Sequence, residues 1–141
     1  MAVSNVPIFP QSFNQTITTI VNADGTNKKT AYTAGINGSK LEAIYVTSTD
    51  TNAFTVNIYE TLSGTDYLIG TLNIPASSGN TTSAPTINIL NNSGNFGSVL
   101  NIDSNGNRYM YLVANAIIKV AVTSAYTAAK TMSFISMGED F

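Results

Sequence analysis

The side chains that do most acid–base, nucleophilic and metal chemistry are missing from this sequence of 141 residues, which has no histidine and no cysteine. The usual general base and the commonest metal ligand are therefore gone, and with them Ser-His-Asp and Cys-His arrangements, disulfides and zinc–thiolate sites. Eight carboxylates remain. Glu60 and Asp66 flank one turn and are the pair that would face each other as glycosidase carboxylates do, although solvated hairpin residues explain them as well. A Ser/Lys dyad would need a Ser-x-x-Lys spacing, which is absent. Asp103-Ser104-Asn105-Gly106-Asn107 resembles the start of a calcium loop. Counting from Asp103, the sixth position is Arg108 where glycine is required, and the twelfth is Ala114 where an acid is required. A hairpin turn on Asn105-Gly106, expected to be of type I′, fits better. Gly35-Ile36-Asn37-Gly38 lacks the Gly-Lys-Ser/Thr ending of a phosphate loop and reads as a turn. Sequons begin at Asn14, Asn37, Asn80 and Asn91, as chance allows in a chain so rich in Asn, Ser and Thr. Tyr45, Tyr59, Tyr67, Tyr109 and Tyr111 fall on expected strands. They are either ordinary strand residues or the stacking platform of a saccharide-binding face. The chain thus reads as non-enzymatic, with no catalytic residue, no cofactor and no metal site.

The elements that would position these residues are all β. Gly35 to Glu60 organises the rest: a β-run from Lys40 to Thr49, a polar turn at Asp50-Thr51-Asn52, and a return through Phe54 to Glu60. In the return, Phe54, Val56 and Ile58 share a face. Two β-runs about a short polar turn predict a hairpin. Further strands are expected at Asn14–Asn22, Thr30–Ala34, Tyr67–Pro75, Val99–Asp103, Arg108–Val113, Ile117–Val122 and Lys130–Gly138, with Thr86–Leu90 a brief apolar segment. On Tyr67–Pro75, Leu68, Leu72 and Ile74 are expected to share a face with Gly70. Ala76–Pro85 and Asn91–Gly97 read as loops, and no stretch sustains a helical period. The fold class is all-β: a two-sheet antiparallel β-sandwich, jelly-roll-like, with an immunoglobulin-like sandwich as the alternative. Residues 14–141 form one sandwich domain. Residues 1–13, interrupted by Pro7 and Pro10 yet apolar, form an extended N-terminal arm.

Only 10% of residues are charged while 43% are hydrophobic, and the net charge is -2. Low charge suits a surface that packs against neighbours, since fewer charges must be desolvated. Six basic residues, of which only Lys28 and Lys29 adjoin, do not make a phosphate-tracking surface, so nucleic acid is not an expected partner. The first residues carry no basic and apolar signal pattern, and no apolar run reaches the length of a membrane span, so a soluble chain made in the cytoplasm is expected, without a membrane partner.

Lys29 to Lys40, Ala43 to Asp50, Tyr67 to Ala76, Asn105 to Leu112, and the closing Ala128 to Thr131 with Gly138 to Phe141 resemble small structural proteins encoded in tailed-bacteriophage genomes. The similarity runs from about Lys29 to the end. It implies a virion component, an auxiliary or decoration (cement) protein bound to the major capsid protein on the outer shell, together with other virion proteins. It also implies a homo-oligomer, with a trimer as the expected unit. A tail, head-fibre or receptor-binding virion module, or a carbohydrate-binding module, are the alternatives. For a protein that acts by contact, the expected partner-binding residues are Val6, Ile8, Phe9 and Phe13 of the arm and Phe96 of the loop that follows Asn91.

Overall fold

The computed structural model describes residues 9–91, 96 and 100–141. Ten strands follow one another: β1 (Ser12–Val21), β2 (Lys29–Thr33), β3 (Ser39–Ser48), β4 (Phe54–Leu62), β5 (Thr65–Ile74), β6 (Ile87–Asn88), β7 (Asn101–Ile102), β8 (Arg108–Leu112), β9 (Ile117–Val122) and β10 (Thr131–Asp140). The only helical turn among the described residues is a 3-10 turn at Asn22–Asp24. Its Asp24 carboxylate accepts the Val21 N–H at 2.8 Å, so the turn that ends β1 is closed by its own side chain.

The strands form two antiparallel sheets. One has the order β1-β10-β3-β8-β7, with β6 also on β3; the other has the order β2-β9-β4-β5. β6 and β8 pair with different stretches of β3, Tyr45–Val46 and Ser39–Leu41, and so act as one interrupted strand. With that pair counted once, β1 to β4 alternate between the sheets and β4 and β5 form a hairpin in one sheet. The chain then crosses to β6/β8, to β9 and to β10, and the first and last strands lie side by side. This is the two-Greek-key order of a jelly roll.

That topology corrects the organising hairpin expected at Gly35 to Glu60. β3 and β4 are not paired at all: they lie in opposite sheets, and Thr49 to Ala53 arches between them. The polar turn read as a hairpin loop is instead the clasp of the arch. Asp50 is fully buried, and its carboxylate accepts the Asn52 backbone N–H at 3.0 Å and the Asn52 side-chain amide at 3.1 Å. Its own carbonyl accepts the Ser77 N–H at 2.7 Å. Ser48 and Tyr126 share a short hydroxyl–hydroxyl bond beside it, and Asn22 donates to the Tyr126 carbonyl at 2.5 Å. Burial works against the charge on Asp50, but donors on Thr127 and Asn52 outweigh it and hold the carboxyl below its usual range.

The true hairpin is the next one. β4 and β5 close at Leu62↔Thr65, and both loop residues have positive φ, Ser63 at 50° and Gly64 at 81°. That is the type I′ geometry whose twist matches the strands. The Asn105-Gly106 hairpin joins β7 to β8, as expected, but by a different turn. Among its loop residues only Gly106 has positive φ, the Gly106 N–H bonds to the Asp103 carbonyl at 3.1 Å, and the Asp103 N–H bonds to the Asn107 carbonyl at 2.9 Å. This is a three-residue loop ending in a glycine bulge rather than a two-residue type I′ turn.

The core fills from strand alternation. Val56 and Ile58 of β4, Ile118, Val120 and Val122 of β9, and Met132 and Phe134 of β10 are all buried, with Phe54 packed against them. On β5 the expected face breaks: Leu72 and Ile74 are buried, but Leu68 is 58% exposed. The pairing jumps from Ile58↔Gly70 to Tyr59↔Leu68, so Ile69 is an extra residue in the ladder. A bulge moves every later side chain to the other face. At one end of the sandwich the Asp140 carboxylate gathers three strands, receiving the Ser39 hydroxyl, the Asn14 amide at 3.0 Å and the Tyr32 hydroxyl at 3.3 Å. Burial opposes its charge, and these donors prevail, keeping it ionised below the usual range; the Tyr32 phenol is pushed up to about 12, chiefly by burial.

Candidate binding face

The outer face of the β1-containing sheet is built by pairing register. Going across β1, β10 and β3, one row reads Ile17–Ile135–Tyr45, the next Gln15–Met137–Ala43, and the third Phe13–Glu139–Lys40, with Tyr111 continuing it on β8. These side chains share one face because they are directly opposite in the ladder. Phe13, Ile17 and Tyr111 are 64%, 63% and 58% exposed, and Tyr45 and the half-buried Ile135 and Met137 connect them. A polar row, Thr19–Ser133–Thr47, bounds the apolar area, with the two hydroxyls of Thr19 and Ser133 at 3.1 Å.

Toward β8 this face deepens into a trough of about 300 Å³, floored by Ala43, Tyr45 and Met137 and walled by Asn88, Asn91 and Tyr109. Asn88 accepts the Leu90 N–H at 3.1 Å and the Ile44 N–H at 3.3 Å, and Asn91 accepts the Arg108 N–H at 2.9 Å. With each carbonyl oxygen fixed on backbone, the amide nitrogens are the ends left for the trough. Lys40 bonds Glu42 at 2.6 Å and lies 5.0 Å over the Tyr109 ring, and that hydrogen bond raises the lysine's pKa. One face of Tyr109 is thus already covered by a cation, and Tyr111 meets it edge-on at 5.3 Å. Of the trough tyrosines only Tyr45 offers a ring for stacking.

The other candidates separate. Asp66 faces Thr61, so Glu60, one residue along the strand, points to the opposite side of the sheet. The two carboxylates do not face each other. The Thr61 hydroxyl at 2.5 Å, with Lys28 and Lys119 each at 2.9 Å, drives the Asp66 carboxyl far below the usual range, while burial alone raises Glu60. The Asp103 carboxylate is taken up by its own loop, accepting the N–H groups of Asn105 and Asn107 at 2.8 Å each. The Asn107 bond is the main cause of its lowered pKa. Among the described residues no three potential metal-ligating side chains converge. Tyr59 and Tyr67 lie on the other sheet, where Lys28 sits 4.2 Å over the Tyr59 ring, so the five strand tyrosines do not form one platform.

Of the expected contact residues, Val6 and Ile8 lie outside the described residues. Phe9 is 70% exposed; Phe13 is exposed too, but as the second residue of β1 rather than part of an arm. Phe96 is corrected: it is buried in the core, with its ring against Gly70. Sequence reading missed Ile17, Ile135, Met137 and Tyr45 as one surface, because their adjacency depends on the β1–β10–β3 register. No family model, curated protein or solved structure matches the chain.

Proposed function

We propose that the chain is a non-enzymatic structural protein of a virion, an auxiliary capsid protein that decorates the outer shell by binding the major capsid protein, and that it does so as a homo-oligomer. The observation that carries this reading is the outer face of the β1 sheet. Phe13, Ile17, Ile135, Tyr45 and Met137 form a continuous apolar area in a chain of which only 10% is charged. Contiguous exposed apolar area with a polar border is characteristic of protein contact surfaces. Binding by many copies would stabilise an assembled shell over its parts by mass action. The sequence resemblance to phage structural proteins points the same way.

Quantitative mass spectrometry of purified particles from the genome that encodes the chain tests this. Copies in the hundreds, in proportion to the major capsid protein, are expected. A chain absent from particles sinks the reading, and a few copies at a vertex or tail would make it a fibre or receptor-binding part instead. Saccharide binding is the second reading, favoured by Tyr45 beside the free amide ends of Asn88 and Asn91. A glycan screen without binding, or binding unchanged by Tyr45→Ala, would remove it.

A further inference from the structure

The first part of β1, Phe13 to Thr18, has its polarity inverted, before Ile20 turns into the core. Asn14 and Thr18 point inward, where the Thr18 hydroxyl donates to the Thr30 carbonyl at 2.5 Å and the Asn14 amide to the Thr33 carbonyl at 3.2 Å. Phe13 and Ile17 point outward into solvent. A strand on a free surface normally does the reverse, apolar side in and polar side out.

β1 is also a sheet edge, and the edges are not alike. Edge strands are ordinarily protected against pairing by shortness, charge, proline or bulges. Among the described residues, β7 is two residues long, and β2 has five residues, a register shift and Lys29. Two of β2's carbonyls are capped by the Asn14 and Thr18 side chains described above. β5 is bulged at Ile69 and carries Asp66. β1 has ten residues in uninterrupted register with β10, and no charged residue or proline. Among the described residues this edge is covered near the end of the strand, where the Lys29 ammonium donates to the Thr19 carbonyl at 2.7 Å and the Asp24 carboxylate accepts the Val21 N–H at 2.8 Å.

The sequence of β1 says what fits it. Placed antiparallel to a copy of itself about a two-fold axis at Gln15, Phe13 falls opposite the second copy's Ile17 on the outer face, and Gln15 opposite Gln15. Apolar meets apolar twice, amide meets amide once, and no charge opposes a charge. A two-fold contact requires this self-complementarity, because the same patch serves both sides. We propose that two copies of this chain pair through β1, joining their larger sheets into one continuous sheet whose outer rows of apolar side chains run across both. The pairing is a property of the isolated chain and does not rest on the virion reading. It replaces the trimer expected from the resemblance with an isologous pair.

The full-length chain in sedimentation velocity should have twice the 14.9 kDa mass of one chain. Ile17→Lys, at a position 63% exposed in one copy, should leave the melting temperature of the separated chain unchanged. It should weaken self-association by roughly 100-fold, because an unpaired ammonium would be desolvated in the pair. Gln15→Cys gives a geometric readout in a chain with no other cysteine. Its Cα atoms would lie about 4.5–5.5 Å apart across the axis, within disulfide reach, so oxidation should lock a covalent pair, whereas Leu68→Cys on the other sheet should not. A chain that sediments as a single copy or as a trimer overturns the proposal. So does Ile17→Lys with unaltered mass, or a pair that Gln15→Cys cannot lock.

Discussion

Removing the Phe96 ring separates a core role from a contact role, and the structure sets the size of the effect. Phe96 is 3% exposed, and a Cβ placed on Gly70 would lie 2.6, 2.7 and 2.9 Å from its Cβ, Cδ2 and Cγ. Phe96→Ala deletes a buried ring and should cost about 3–5 kcal/mol, a large share of the roughly 5–15 kcal/mol typical of a domain. At this chain length that is a fall in melting temperature of roughly 10–20 °C. Gly70→Ala has no conformational obstacle, since its φ is not in the left-handed region, but it overpacks the ring and should cost about 1–3 kcal/mol. In the double variant two of the three close contacts are gone and position 96 is no longer held by its ring. The combined loss should therefore fall short of the sum by about 1 kcal/mol or more. Denaturant melts of the four proteins measure this directly. If Phe96→Ala melts within a degree or two of the parent, or if the two losses simply add, the packing of Phe96 on Gly70 is not what holds this region.

Gly38→Ala should be damaging, because Gly38 is buried at the end of its turn, φ is +96° and the new Cβ would lie 2.7 Å from the Leu112 carbonyl, so a loss of about 2 kcal/mol or more is expected in the same melts. Acid should destabilise the fold. Asp66, Asp50, Asp140, Asp24 and Asp103 all have folded pKa values below their ordinary one, so the unfolded chain binds more protons in acid. Their contribution is complete above about pH 5 and drains away as the pH falls through and below the ordinary carboxylate range of about 4. Asp66→Asn should flatten that acid limb in a pH series of melts, and an unchanged limb would contradict its ion pairs with Lys28 and Lys119. Deleting residues 1–8 of the expected arm should lower the occupancy of the chain on particles; unchanged occupancy would remove this segment from the contact.

Strand alternation made most of the core legible. Val56 and Ile58, the Ile118–Val122 series, and Met132 with Phe134 are buried as their period of two requires. What local reading could not supply was which strands pair. A short polar linker such as Asp50-Thr51-Asn52 serves an arch between sheets as well as a hairpin within one, and the jelly-roll order itself forbids the β3–β4 hairpin. The discriminating signal was present at Ser63-Gly64, where two residues separate the strands. The exposure of Leu68 was hidden because a bulge leaves no mark in composition. Phe96 was misassigned because its Asn, Gly and Ser neighbours outweighed the aromatic itself. The binding face was the least legible feature, since Ile17, Ile135 and Tyr45 are far apart in the chain and meet only through register.

The position of β10 bears on how the chain folds. The strand farthest along the sequence is inserted in the middle of its sheet, between β1 and β3, and its Asp140 closes a cluster with Asn14, Tyr32 and Ser39. Because β1 pairs with β10 and β3 has β10 as its neighbour on that side, this part of the sheet cannot form until β10 has been made. During that interval β1 and this edge of β3, with Ile17 and Tyr45 on them, lack their partner strand, and joining strands so far apart in sequence is slow. Shortening β10 by a few residues should thus be felt as failed expression rather than as a weakened fold.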